Sequence, residues 1–114
     1  DYWKEAHALA HKLDDMNGRD GALFLESAYH FGYGVASNVS EQIRWMERYI
    51  RLDHAWGTIR YSSGFFSAMF LQDLVSYQKS GNQEAGDALS RLKRDYPDLT
   101  IPEGPVGGSF IPEN

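Results

Sequence analysis

Residues 21–52, GALFLESAYHFGYGVASNVSEQIRWMERYIRL, constrain the fold more than any other part of the chain. Two apolar patterns of helical period lie on either side of Gly32-Tyr33-Gly34-Val35. Glycine reaches positive φ without a Cβ clash, so this tetrapeptide ends one helix and turns the chain back. On the first helix Leu25 and Tyr29 stand four apart on one face, and Ala22 and Ala28 are small enough to admit a close neighbour. Asn38 is a good N-cap for the second helix, with Glu41 three residues on in a capping-box pattern. That helix carries Ile43, Trp45, Met46, Tyr49, Ile50 and Leu52. The unit predicted is a helix–turn–helix hairpin.

Further helices are expected on both sides. Residues 2–16 carry Trp3, Ala6, Leu9, Ala10 and Leu13 as an apolar stripe, closed by Asn17-Gly18. The run Phe65–Lys79 places Phe66, Met69, Phe70, Leu74 and Tyr77 on one face, with Leu71 and Val75 widening it. After the turn at Ser80-Gly81-Asn82, residues 83–96 face inward with Ala85, Ala88, Leu89, Leu92 and Tyr96, and Asp87 and Arg91 are spaced for an ion pair. Pro97 stops this helix. All four prolines fall between residues 97 and 112, so 97–114 reads as an extended tail, its Leu99, Ile101, Val106, Phe110 and Ile111 packing along the helices. The helical domain is accordingly expected over residues 1–96.

The pattern Leu25…Tyr29…Gly32-x-Gly34-Val35…Asn38…Trp45 resembles a Sel1-like repeat, a relative of the tetratricopeptide repeat, at about residues 21–54. Gly21 takes the family's first small position, and Asn38 stands where Asp is usual. Glu26 replaces the Gly of Leu-Gly, Gln42 replaces an Ala, and Tyr49-Ile50 replaces a final Ala-Ala pair. Small residues at those positions let neighbouring helices approach closely, so the replacements predict looser or altered stacking on at least one side. The resemblance implies an all-α fold, a short solenoid of antiparallel helical hairpins with an extended C-terminal tail. Such solenoids bind proteins or peptides on a concave face.

Composition narrows the function classes. Lys plus Arg number 11 against 16 Asp plus Glu, a net charge of −5, which argues against nonspecific nucleic-acid binding. A local basic patch of Arg44, Arg48, Arg51 and Arg60 is compatible with that total. The longest apolar stretch, residues 65–71, is too short to cross a bilayer. With no cysteine, disulfides, thiolate zinc sites and cysteine nucleophiles are excluded. The chain starts at Asp1, as expected of a processed form or a part of something longer. Bacterial periplasm and cytoplasm both fit.

Few residues suggest chemistry. His7, His11 and Asp15 form a row with metal-ligand spacing, although a solvated polar helix face is the favoured reading. Glu26 among apolar neighbours invites a raised pKa, and His30 follows four residues later. Neither a GxSxG elbow nor an oriented base beside a nucleophile is present, so no catalytic residue and no cofactor or metal are expected. Gly32-Tyr33-Gly34 lies between helices, where a phosphate-cradling role is disfavoured.

Aromatic residues make up 14% of the chain, and aromatics with Arg dominate binding hot spots. Trp56, Arg60, Tyr61 and Phe65 flank an irregular Gly/Ser segment where a second repeat would begin, and Tyr33 sits at the hairpin tip. These five are the predicted partner-binding residues. The expected function is a non-enzymatic interaction module whose partner is another protein. Proteins similar to Sel1-like repeats serve as immunity proteins against secreted antibacterial toxins, the leading specific expectation; a structural or regulatory adaptor is the alternative, with a small hydrolase behind both.

Overall fold

The computed structural model describes residues 1–57 and 64–104, and all regular structure among them is helical. Helix α1 is Tyr2–Asp15, α2 Arg19–Phe31, α3 Val39–Ala55, α4 Phe65–Lys79 and α5 Gln83–Asp95. Helix α1 starts where the Asp1 carboxylate accepts the Trp3 amide at 3.0 Å. It ends at Asn17, whose φ is +60°, with the Gly18 amide returning to the Leu13 carbonyl at 2.7 Å. Gly32 adopts φ +80° after α2, and the Tyr33 amide reaches back to the Ala28 carbonyl. Asn38 caps α3 by accepting the Glu41 amide at 3.1 Å, and Asn82 caps α5 by accepting the Ala85 amide at 3.0 Å.

Helix α3 is the hub. It packs on α2, α4 and α5, whereas α1 packs on α2 and α4 on α5. Its Ile43, Trp45, Met46, Tyr49, Ile50 and Leu52 are buried together with Leu25, Phe70, Leu71, Leu74, Leu89 and Leu92. Gly21 sets the α1–α2 distance: a Cβ there would collide with the Ala10 carbonyl oxygen and lie 3.0 Å from the Asp14 amide nitrogen. Leu99 and Ile101 pack against the core, and the Gln72 amide donates to the Pro102 carbonyl at 3.0 Å. The remainder of the expected tail, including Val106, Phe110 and Ile111, lies outside the described residues.

Polar contacts between α3 and α5 share one offset. Ser40 donates to Glu84 at 2.5 Å, Arg91 pairs with Glu47 at 2.7 Å, and Arg51 pairs with Asp95 at 2.9 Å, each pair 44 residues apart. A constant offset with increasing residue number means that α3 and α5 run parallel in register. Their caps, Asn38 and Asn82, carry the same offset.

Three expectations need correction. Leu9 is exposed, because α2 covers the neighbouring flank of α1 where Trp3 and Ala10 lie. Phe66, expected on the buried face of α4, is partly exposed. Arg91 reaches across to Glu47 on α3, while Asp87 accepts the Gln83 amide at 2.8 Å. The bulky departures from the small-residue pattern, by contrast, are filled in. Tyr49 meets Phe70 edge-to-face at 5.4 Å, and Gln42 donates to Glu26 at 2.9 Å, so two replacements satisfy one another.

Candidate functional site

The hairpin motif residues work as turn, cap and core. Leu25 is fully buried, Tyr29 is half-buried against the core, and Trp45 is buried beneath the Arg44 guanidinium, which lies 5.3 Å from its ring. Gly34 combines φ +74° with a close approach to Trp3, since a Cβ there would collide with the Trp3 Cβ and stand 3.0 Å from its Cγ. Val35 is half-buried beside it.

Tyr33 is 40% exposed and belongs to a continuous column of rings. Trp3 stacks on it at 5.1 Å and 8°, Phe31 at 5.5 Å and 28°, and His30 stacks on Phe31 at 4.3 Å and 10°. His7 fixes the tip of the turn by donating from Nε2 to the Tyr33 carbonyl at 2.7 Å. Its ring also meets Phe24 and Tyr29 edge-on, and the His11 ring packs edge-on against Trp45. The two histidines of the suspected ligand row are thus engaged as packing groups. Among the described residues no cluster of three or more His, Asp or Glu has metal-binding geometry.

Trp56 is 65% exposed at the C-terminus of α3. Phe65 is half-buried against the core and edge-on to Phe66 at 5.2 Å, so it is an inward-facing residue rather than a free anchor. Arg60 and Tyr61 lie outside the described residues. Tyr33 and Trp56 flank opposite ends of the 17-residue α3, an element about 25 Å long, so the predicted set does not converge on one patch.

A surface cleft of about 250 Å³ is lined by Asp14, Arg44, Trp45, Glu47, Arg48 and Arg51. Three arginines of the expected basic patch stand here, yet carboxylates hold them. Arg48 pairs with Asp14 at 2.7 Å, and Glu47 accepts from both Arg51 and Arg91. Burial pushes the Glu47 carboxyl up, but the two guanidiniums outweigh it and the net displacement is downward. The patch is therefore electrostatically matched rather than free.

A polar relay that the sequence did not announce crosses the interior. Glu26 on α2 accepts from Gln42 on α3, and Gln42 accepts the Tyr77 hydroxyl of α4 at 2.9 Å. His30 Nδ1 lies 3.7 Å from Glu26. Burial raises the Glu26 carboxyl and lowers the His30 imidazole, which favours the neutral form of each. Asp73 on α4 is buried beside this relay, and desolvation together with the Glu26 charge pushes its pKa up to about 7. Beneath the C-terminal end of α3, Asp53 accepts from Ser67 at 2.6 Å and pairs with Arg19, tying α2, α3 and α4 together. The sequence signalled Glu26, a carboxylate in place of a small residue, with His30 four residues on along the same helix, and Gln42 as a second departure from the small-residue pattern. That Gln42, Tyr77 and Asp73 gather around Glu26 depends on the register between helices, which the sequence does not give.

Comparison with protein-family models, with curated proteins and with solved structures yields no match.

Proposed function

We propose that this chain is a non-enzymatic protein-interaction module, a short solenoid of antiparallel Sel1-like helical hairpins, and most specifically a bacterial immunity protein that binds and neutralises a secreted antibacterial effector toxin. One observation carries the interaction reading: large aromatic residues, Tyr33 and Trp56 among them, stand exposed on a helical scaffold whose α3 and α5 are capped by Asn38 and Asn82. Exposed aromatics on rigid elements bind with little loss of side-chain freedom, which suits tight capture of one partner. The solenoid reading is supported by the parallel α3–α5 register with its 44-residue offset. It is also supported by the service of Gly21, Gly32, Gly34 and Asn38 at positions the repeat pattern reserves for close approach, turn and cap. The non-enzymatic reading rests on where the carboxylates lie. Those with raised pKa are interior, and those lining the cleft are held by arginine.

The test is co-expression with toxins encoded by neighbouring genes, alongside affinity capture from the source cells. Neutralisation of one toxin is expected, with Tyr33→Ala plus Trp56→Ala weakening binding at least about tenfold at unchanged helicity. Capture of a housekeeping complex with no toxin rescued would overturn the immunity reading in favour of an adaptor. Turnover of a small-molecule substrate would overturn the non-enzymatic reading.

A further inference from the structure

The outer face of α1 carries an uncovered seam. Tyr2, Ala6, Leu9, Leu13 and Met16 follow one another at spacings of 4, 3, 4 and 3, the heptad pattern of a helix that packs lengthwise against another. Among the described residues, helix α1 packs along α2 through the neighbouring flank that carries Trp3 and Ala10, and it touches α3 through Asp14–Arg48 and His11–Trp45, away from the seam. The seam is left open, with Tyr2 73%, Leu9 58% and Met16 70% exposed, and Ala6 and Leu13 half-buried at its edge. Three large apolar side chains in a line on one short helix are more than scattered surface hydrophobics. The seam continues at its N-terminal end, where Tyr2 meets Trp3 edge-on at 4.9 Å and Trp3 stacks on exposed Tyr33.

Charges beside the seam identify the occupant. If Tyr2, Leu9 and Met16 hold one heptad position and Ala6 and Leu13 the other, then Glu5 and Lys12 both occupy the position that flanks the seam on its solvent side. In an antiparallel helix pair, residues at this position face their counterparts on the opposite helix. Two identical helices laid antiparallel therefore bring Glu5 of each beside Lys12 of the other, two opposite-charge contacts related by one two-fold axis. Both side chains lie at exposed positions. A parallel arrangement has no such match.

We propose that this seam docks antiparallel on the same seam of a second copy of the chain, forming an isologous dimer through α1. Leu9 packs near the two-fold axis, Tyr2 and Met16 toward its ends, and the Glu5–Lys12 contacts fix the direction. A single pair of four-turn helices buries less than the ~1,200 Å² of a stable standard interface, so the dimer is concentration-dependent. The Trp56 end of α3 stays free for another partner.

Sedimentation velocity of the full chain from about 1 to about 500 µM reads this directly. The expected result is a monomer–dimer equilibrium weakened at least about tenfold by Leu9→Glu, with helicity unchanged because Leu9 lies outside the core. Lys12→Glu alone and Glu5→Lys alone each weaken association, and an equimolar mixture of the two variants restores it, since each pair then joins opposite charges. The mixture distinguishes self-docking from capture of a different chain by the same apolar stripe. A monomer at every concentration overturns the proposal. So does association that survives Leu9→Glu, or a mixture no stronger than either variant alone.

Discussion

Gly21 shows how much one missing side chain can decide. It stands within the first turn of α2, a place where any good helix former would serve on local grounds, yet the α1 backbone passes so close that a Cβ has no room. The obstacle is the Ala10 carbonyl, a backbone atom that cannot swing aside as a flexible side chain would. Gly21→Ala is therefore expected to destabilise the fold by about 2–4 kcal/mol despite alanine's better helix propensity, read as a fall in urea midpoint at unchanged m. A neutral or stabilising result would mean that α1 sits farther from α2. Gly34 combines a left-handed backbone with a close approach to Trp3. The turn at Gly32 and Gly34 was legible from residue type, because positive φ is a property of the residue and its immediate neighbours. What crowds Gly21 and Gly34 was not, since the atoms responsible are 11 and 31 residues away, although the small-residue position of the repeat pattern already pointed to a close approach at Gly21.

At the scale of elements, the sequence located the helices well. The span of α4 and the cap Asn38 follow from periodicity and side-chain-to-backbone hydrogen bonding within a few residues, whereas Asn82, read only as part of a turn, proves to be the cap of α5. Faces were harder. Helix α1 has apolar residues around more of its circumference than one neighbour covers, so the stripe expected to include Leu9 splits, part facing α2 and part facing solvent. Pairing was harder still. Asp87 and Arg91 are spaced correctly along α5, but the Glu47 carboxylate on α3 offers Arg91 two oxygens in a less solvated place. Glu47 thereby becomes the clamp between α3 and α5, held by Arg51 and Arg91 together. Glu47→Gln removes the charge and leaves both guanidiniums short of a partner, with an expected loss of about 2 kcal/mol that shrinks in high salt. Thermal unfolding at low and at 1 M salt checks this, and equal losses in both would mean that geometry rather than charge makes the contact.

The whole molecule gathers two populations of carboxylate with opposite pH signatures. Asp73 and Glu26 have folded-state pKa values above their unfolded ones, Asp73 at about 7 against 3.8. Such groups support the fold while protonated in both states, and that support is lost as pH rises through the folded-state pKa, for Asp73 between about 4 and 7. Glu47 is displaced downward, so its contribution is present above the ordinary carboxylate range and lost as pH falls through its folded pKa. Together they place maximal stability on the acidic side of neutrality. Asp73→Asn is expected to stabilise by about 2–4 kcal/mol at pH 8 and by little at pH 4, flattening the alkaline limb in a series of urea titrations. An alkaline limb unchanged in this variant would place the responsible group elsewhere, with Glu26, 4% exposed, next in line.

What the sequence determined by itself was the class of fold, the positions of the helices and the chemistry of their turns, because each depends on backbone preferences and on side chains within one or two turns of one another. It also signalled, through Glu26, that one interior position departs from simple packing. Tertiary structure alone decided which apolar residues are spare and which charges are spent. Phe65 faces inward while Trp56 stays out, Arg48 and Arg51 of α3 are matched by Asp14, Glu47 and Asp95, and the seam of α1 is left uncovered among the described residues. Exposure and charge balance are sums over everything that packs nearby, and most of those neighbours lie tens of residues away along the chain.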